Sequence, residues 1–125
     1  LAQALIPGFD IAQKQDVGFN AIGTRLDYSL AFITLVVIAP IVEETLFRGY
    51  LYGKLRPRTG MIVASLLVSV LFGFLHGQWN VGVNVFALSI VLCGLRELTG
   101  SIWAGILLHM AKNAVAFYAL FVVHL

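Results

Sequence analysis

Charge is scarce in this 125-residue chain. Asp, Glu, Lys and Arg together make up 11% of it, while 60% belongs to the apolar set of Ala, Val, Ile, Leu, Met, Phe, Trp, Tyr and Cys. Soluble domains carry about a quarter charged residues, so there is too little polar surface here to coat a water-soluble globule. That shortage excludes a small soluble domain, a disordered tail and a nucleic-acid binder. Cysteine is nearly absent as well: the lone Cys93 lies in an apolar stretch and leaves no disulfide framework. Neither an internal repeat nor a low-complexity tract is visible, and the net charge of +2 assigns no partner by itself. With a mean hydropathy of +0.94, what remains is an all-α, polytopic membrane domain. Opening at Leu1 rather than Met, the chain reads as a processed product or an excerpt of a longer protein.

A membrane-crossing helix needs about 20 mostly apolar residues. Four stretches approach this: residues 28–52, 61–75, 81–95 and 101–123. The middle two are short, which implies tilt or local thinning of the bilayer. Residues 1–27 alternate polar and apolar types and carry Pro7, Gly8, Gly18 and Gly23, so they read as an extramembrane or interfacial segment. Residues 28–125 then form the membrane core, with Leu1 to Ile6 as the conceivable tail of a span further upstream. Arg48, Lys54, Arg56 and Arg58 flank the turn expected near Pro57 to Gly60. The excess of positive charge at a span end puts that turn, and the one near Thr99 and Gly100, on the cytoplasmic side.

Against this background the ionisable residues within the apolar runs stand out, because each is costly in hydrocarbon and such groups mark function. They are Glu43, Glu44, Arg48, His76, His109 and Lys112, joined by the amide of Asn113. Glu44 and Arg48 are four apart, one above the other on a helix face, and can satisfy each other. Glu43 is turned by about 100° from Glu44 and has no such partner on its own helix. It is the free carboxylate of the two, suited to act as a base. His109 and Asn113 share a face of the last span. Counted along the helices, Glu43 stands about 21 Å from Pro57 and His76 about 25 Å from Thr59 on the returning arm. His109 and Asn113 stand about 14 and 20 Å above Gly100. If the first hairpin's turn protrudes by a helical turn or two, all four groups fall in one layer, a polar intramembrane pocket. Water activation and oxyanion stabilisation need that set of groups.

At these residues the sequence resembles the CAAX prenyl protease and bacteriocin-processing (CPBP, or Abi) family of membrane proteases. The E-E-x-x-x-R motif appears as Glu43-Glu44-Thr45-Leu46-Phe47-Arg48, F-x-x-x-H as Phe72 to His76, and H-x-x-x-N as His109 to Asn113. Their order and placement on successive spans make the combination specific, over about residues 30–117. The resemblance implies a glutamate-type intramembrane endopeptidase without a bound metal. In it Glu43, helped by His76, activates water; His109 and Asn113 stabilise the oxyanion; and Glu44 and Arg48 support the site. The implied substrate is a membrane-associated protein or peptide, prenylated or not, with membrane lipids as the other partner. A prokaryotic cell membrane is the implied location. Three departures from the family's pattern fall on four positions. Ser89 and Cys93 stand where two glycines are common, Arg96 where an aromatic residue is usual, and Lys112 where family members are apolar. Lys112 either tunes the site, binds a substrate carboxylate, or reaches a polar cavity with no role.

Other readings compete. Glu44 and Arg48 are explained by their mutual pairing, Asn113 could simply bond His109 and order the helix, and His124 reads as interfacial. Trp79, Trp103, Tyr28, Tyr50, Tyr52 and Tyr118 read as interfacial anchors or packing. Two histidines and a glutamate could form a three-ligand zinc site, although no H-E-x-x-H run is present. A catalytically silent membrane scaffold or bacteriocin-immunity protein is the alternative to an enzyme, and a transporter is a weaker third choice because no repeat is visible.

Overall fold

The computed structural model describes residues 23–123. The segment up to residue 22, the suggested upstream span at its start, and His124 lie outside the described residues. Helix α1 (Arg25–Phe32) starts three residues ahead of the expected span because Thr24 and Asp27 form a capping box. The Asp27 N–H donates to Thr24 Oγ1 at 3.2 Å, and the Thr24 N–H donates to the Asp27 carboxylate at 2.9 Å. Two of the first helix's orphaned N–H groups are thereby satisfied.

From α1 the chain continues through a π-helical stretch (Ile33–Ile38), α2 (Ala39–Glu44), a second π-helical stretch (Thr45–Leu51) and α3 (Tyr52–Phe74). Then follow α4 (Trp79–Thr99), α5 (Trp103–Tyr118) and a final π-helical stretch (Ala119–Val123). Among the described residues all regular structure is helical. Three helical runs are long and apolar enough to cross a membrane: Arg25–Phe74, Trp79–Thr99 and Trp103–Val123. The expected four separate spans are thus corrected to three runs, because the first two expected spans are joined in one stretch of 50 residues.

That stretch is not straight. Extended as a single helix it would measure about 75 Å, against a hydrocarbon slab of about 30 Å. Instead the rings of Phe47 and Phe72, 25 positions apart in sequence, meet at 4.9 Å between centroids. Chain reversal occurs at Gly60, whose φ of 81° and ψ of 168° break the helix in a region open essentially to glycine alone. Pro57, just before it, already removes one helical N–H. The sequence-expected turn at Pro57 to Gly60 is therefore a hairpin. Its second arm, from Met61 to Phe74, is too short to count as a crossing by itself, at about 21 Å.

Packing turns the usual soluble pattern inside out. Ile62, Val70, Leu98, Leu107 and Val115 are more than half exposed, while Glu44, Arg48, Ser69, Ser89 and His109 are buried. An apolar exterior over a polar interior suits a lipid environment and would precipitate in water. The protein is a multi-pass integral membrane protein. Near the second reversal α3 and α4 come close enough that a Cβ on Gly73 would lie 2.8 Å from the Gly82 carbonyl oxygen. At the opposite end Arg56 grips Glu97 through two N–H···O contacts of 2.6 and 3.2 Å, and the Tyr52 hydroxyl donates to the same carboxylate at 2.6 Å. These links clamp the Gly60 hairpin onto α4 where the chain turns at Gly100, which adopts φ 68° as the C-cap.

Candidate functional site

Pro40 organises the first wall of the site. In the π-helical stretch before it, the Ala39 N–H reaches back five residues to the Thr34 carbonyl. By the same step the next donor would be Pro40, which has no N–H. The carbonyl that step would leave open, Leu35, accepts instead from Asn113 Nδ2 at 2.9 Å. Such π-helical turns are rare and cluster at functional sites. Here two of them bracket α2, the six-residue segment that carries both glutamates.

Glu44 is fully buried and holds two nitrogen donors on one oxygen. Its Oε1 accepts from Arg48 Nη1 and from His109 Nδ1, each at 3.0 Å. The Arg48 guanidinium also stacks on Phe72, 4.6 Å from the ring centroid, a favourable cation–π placement in a desolvated core. The Glu44–Arg48 pairing expected from the four-residue spacing is present; its extension to His109 has no counterpart in the sequence spacing. With Nδ1–H directed at a carboxylate, the imidazole's other nitrogen is turned to the site. Nε2 lies 3.7 Å from Glu43 Oε2. Glu43 keeps a 31% exposed side chain beside a 3% exposed His109, so one of its sides is open to a reactant and the other faces the imidazole.

His76 is placed differently. Its ring packs edge-on against Phe72 at 4.8 Å, and His109 approaches the same phenyl ring at 5.9 Å. The two imidazoles therefore flank one aromatic side chain. His76 Nδ1 stands 2.7 Å from the Phe72 carbonyl oxygen. Since a carbonyl only accepts, that nitrogen carries the proton and a neutral ring keeps its lone pair on Nε2. No hydrogen bond or ion pair joins His76 to Glu43. Phe47 and Phe72 abut; Glu43 lies four residues before the first on one arm, and His76 four residues after the second, in the turn that follows the other arm. Of the sequence-selected residues, Glu43, Glu44, Arg48 and His109 thus converge directly. Asn113 borders them through Leu35, and His76 does so through Phe72. Among the described residues no three His, Cys, Asp or Glu side chains gather as a group able to hold a metal ion.

One contributor lacks any motif signal. Gly105 brings α5 against α2: a Cβ there would stand 3.0 Å from Glu44 Oε2 and 3.6 Å from a Leu92 methyl. Gly105→Val is expected to push the Glu44 carboxylate off His109, with a stability loss of about 1–3 kcal/mol from overpacking. Its melting temperature in detergent should fall. Gly105→Ala, which asks Glu44 to move by a few tenths of an ångström, should show the smaller drop. A valine variant as stable as the parent would contradict the close approach.

The chain has recognisable relatives. A family profile, Type II CAAX prenyl endopeptidase Rce1-like, matches residues 25–115. The chain is 31% identical over 84 residues to "Putative membrane peptidase YdiL" of Bacillus subtilis (strain 168), covering 67% of this chain and 34% of that protein. It is also 32% identical over 94 residues to "Uncharacterized 24.3 kDa protein" of Escherichia coli, covering 71% of this chain and 43% of that one. The chain thus spans less than half the length of the curated relatives it matches. No solved structure matches it.

Proposed function

The chain belongs to the Type II CAAX prenyl endopeptidase Rce1-like family, a family of membrane proteases, and from that premise we propose that it carries the site of a glutamate-type intramembrane endopeptidase. The reaction is hydrolysis of a peptide bond in a membrane-associated protein or peptide, in a prokaryotic cell membrane like those of the bacterial relatives. The observation that carries this reading is the buried Glu44–His109 contact of 3.0 Å with Glu43 on the far side of the same imidazole at 3.7 Å.

In this mechanism Glu43 accepts a proton from water as the water attacks the scissile carbonyl. His76 assists through Nε2, left basic by the Nδ1 contact with the Phe72 carbonyl. His109, held by Glu44, donates from Nε2 in its protonated form to the oxyanion that develops. Asn113 supplies an amide N–H from the same helix face; one of its two hydrogens serves the Leu35 carbonyl and the other is available to substrate. Fixed donors of this kind in a water-poor site supply the largest part of acyl-transfer catalysis. Glu44 and Arg48 hold the imidazole and balance its charge.

The proposal is metal-independent. It is supported by Glu44 Oε1 being shared between Arg48 and His109, which commits that oxygen to the protein's own donors. Zinc is the alternative. Cleavage of matched prenylated and unprenylated peptides by purified protein in proteoliposomes tests both points. We expect cleavage that survives a strong chelator. Loss on chelation that zinc restores would replace the metal-free mechanism, and the ratio of the two peptides' rates would show whether a prenyl group is read.

A further inference from the structure

Lys112 is the charged group in the site region that the mechanism leaves unused. It lies one residue before Asn113 and three after His109 on α5, so its side chain emerges beside the proposed oxyanion donors. Half-buried, it lines a small cavity of about 50 Å³ together with Asn113, Leu35, Ala116, Phe117, Leu120 and Phe121. The other walls are apolar or aromatic, and Phe117 is locked in place by edge-on contact with Phe32 at 5.4 Å. Among the described residues no carboxylate lies within ion-pair distance of the ammonium. A cation held against apolar walls without a counter-ion is costly and gains most from an anionic guest. That space is several times what a single enclosed water needs, enough for a carboxylate-sized group.

We propose that Lys112 is a specificity-determining residue that binds a carboxylate of the substrate, so that this protein prefers peptides carrying a carboxylate a short distance from the scissile bond. The inference rests on the peptidase reading. Two sources share this chemistry: the free C-terminus of a peptide and the side chain of an Asp or Glu near the cleavage point. In both, the substrate's carboxylate is drawn to Lys112 while the carbonyl to be attacked lies at His109, Asn113 and Glu43.

Binding is read separately from cleavage by working in a Glu43→Gln background, with the full chain in lipid nanodiscs and Lys112 either kept or changed to Met. Calorimetry would compare three short peptides of one sequence: the free acid, its C-terminal amide, and the amide with one Glu near its end. With Lys112 present, a carboxylate-bearing peptide should bind about tenfold more tightly than the plain amide, as a charge-assisted contact allows. The better of the two acids identifies the source. In the Glu43→Gln/Lys112→Met protein the ratio should fall to about one, and Lys112→Arg should keep most of it. Equal binding of all three peptides with Lys112 present, or a preference that persists with Met, overturns the proposal. Failure of the peptidase reading looks different: the parent protein with Glu43 intact would cleave none of the peptides, whatever their order of binding.

Discussion

Glu43→Gln is expected to slow peptide cleavage by about 10²–10⁴-fold, the usual range for a positioned acid–base group, while leaving the fold as stable as the parent. Both halves follow from the geometry. The side chain is 31% exposed, and His109 Nε2 stands 3.7 Å from it, beyond hydrogen-bond length. Replacing one oxygen by an amide nitrogen therefore breaks no buried contact, and away from such contacts substitutions change stability by about 0.5 kcal/mol or less. What the amide cannot do is take a proton from water. Rates in proteoliposomes and melting temperature in the same detergent are the measurements. A Glu43→Gln variant that still cleaves at the parental rate would move the base elsewhere, to Glu44 or His76. A parent that cleaves nothing, with biological function retained by the same variant, would favour a scaffold or immunity role.

The sequence carries the parts of this site that depend on a single helix. The Glu44–Arg48 pair follows from the four-residue repeat, and the observed 3.0 Å contact is what that spacing permits. Reversal at Gly60 is marked by Pro57, Gly60 and the basic cluster, and it brings Phe47 against Phe72. Contacts between helices are less legible because they depend on rotation about the helix axis. Two π-helical stretches shift that rotation on either side of α2, and no hydrophobic period reports them. Glu44 meeting His109, and Asn113 meeting the Leu35 carbonyl rather than His109, are consequences of that shift. Arg56 illustrates the opposite case. Its charge reads as a topological signal, yet the side chain is half engaged in the Glu97 clamp, because a guanidinium near a carboxylate binds it through two N–H groups wherever geometry allows. The second expected span, residues 61–75, merges with the first for a simpler reason: hydropathy cannot distinguish a full crossing from a short returning arm.

Removing Arg48 should have the largest effect on stability, and combining it with a change at Glu44 separates structure from chemistry. Arg48 is 1% exposed and Glu44 is 0% exposed, and the guanidinium also lies on Phe72, the ring between the two histidines. Arg48→Met leaves a buried carboxylate with His109 as its one remaining donor, a loss expected to cost about 3–5 kcal/mol. The protein should be recovered in low yield, with a much lower melting temperature. Glu44→Gln/Arg48→Met removes both charges and keeps the volume, and neutralising a buried pair together is far less costly than breaking it. This double variant should therefore regain most of the lost stability. Its cleavage should stay low, because a neutral amide holds the His109 Nδ1–H more weakly than a carboxylate does and orients the ring less firmly. Stability restored without activity assigns Glu44 to orienting the imidazole as well as to balancing Arg48. Activity restored along with stability would reduce the pair to a structural ion bridge and leave His109 to be oriented by packing against Phe72 alone.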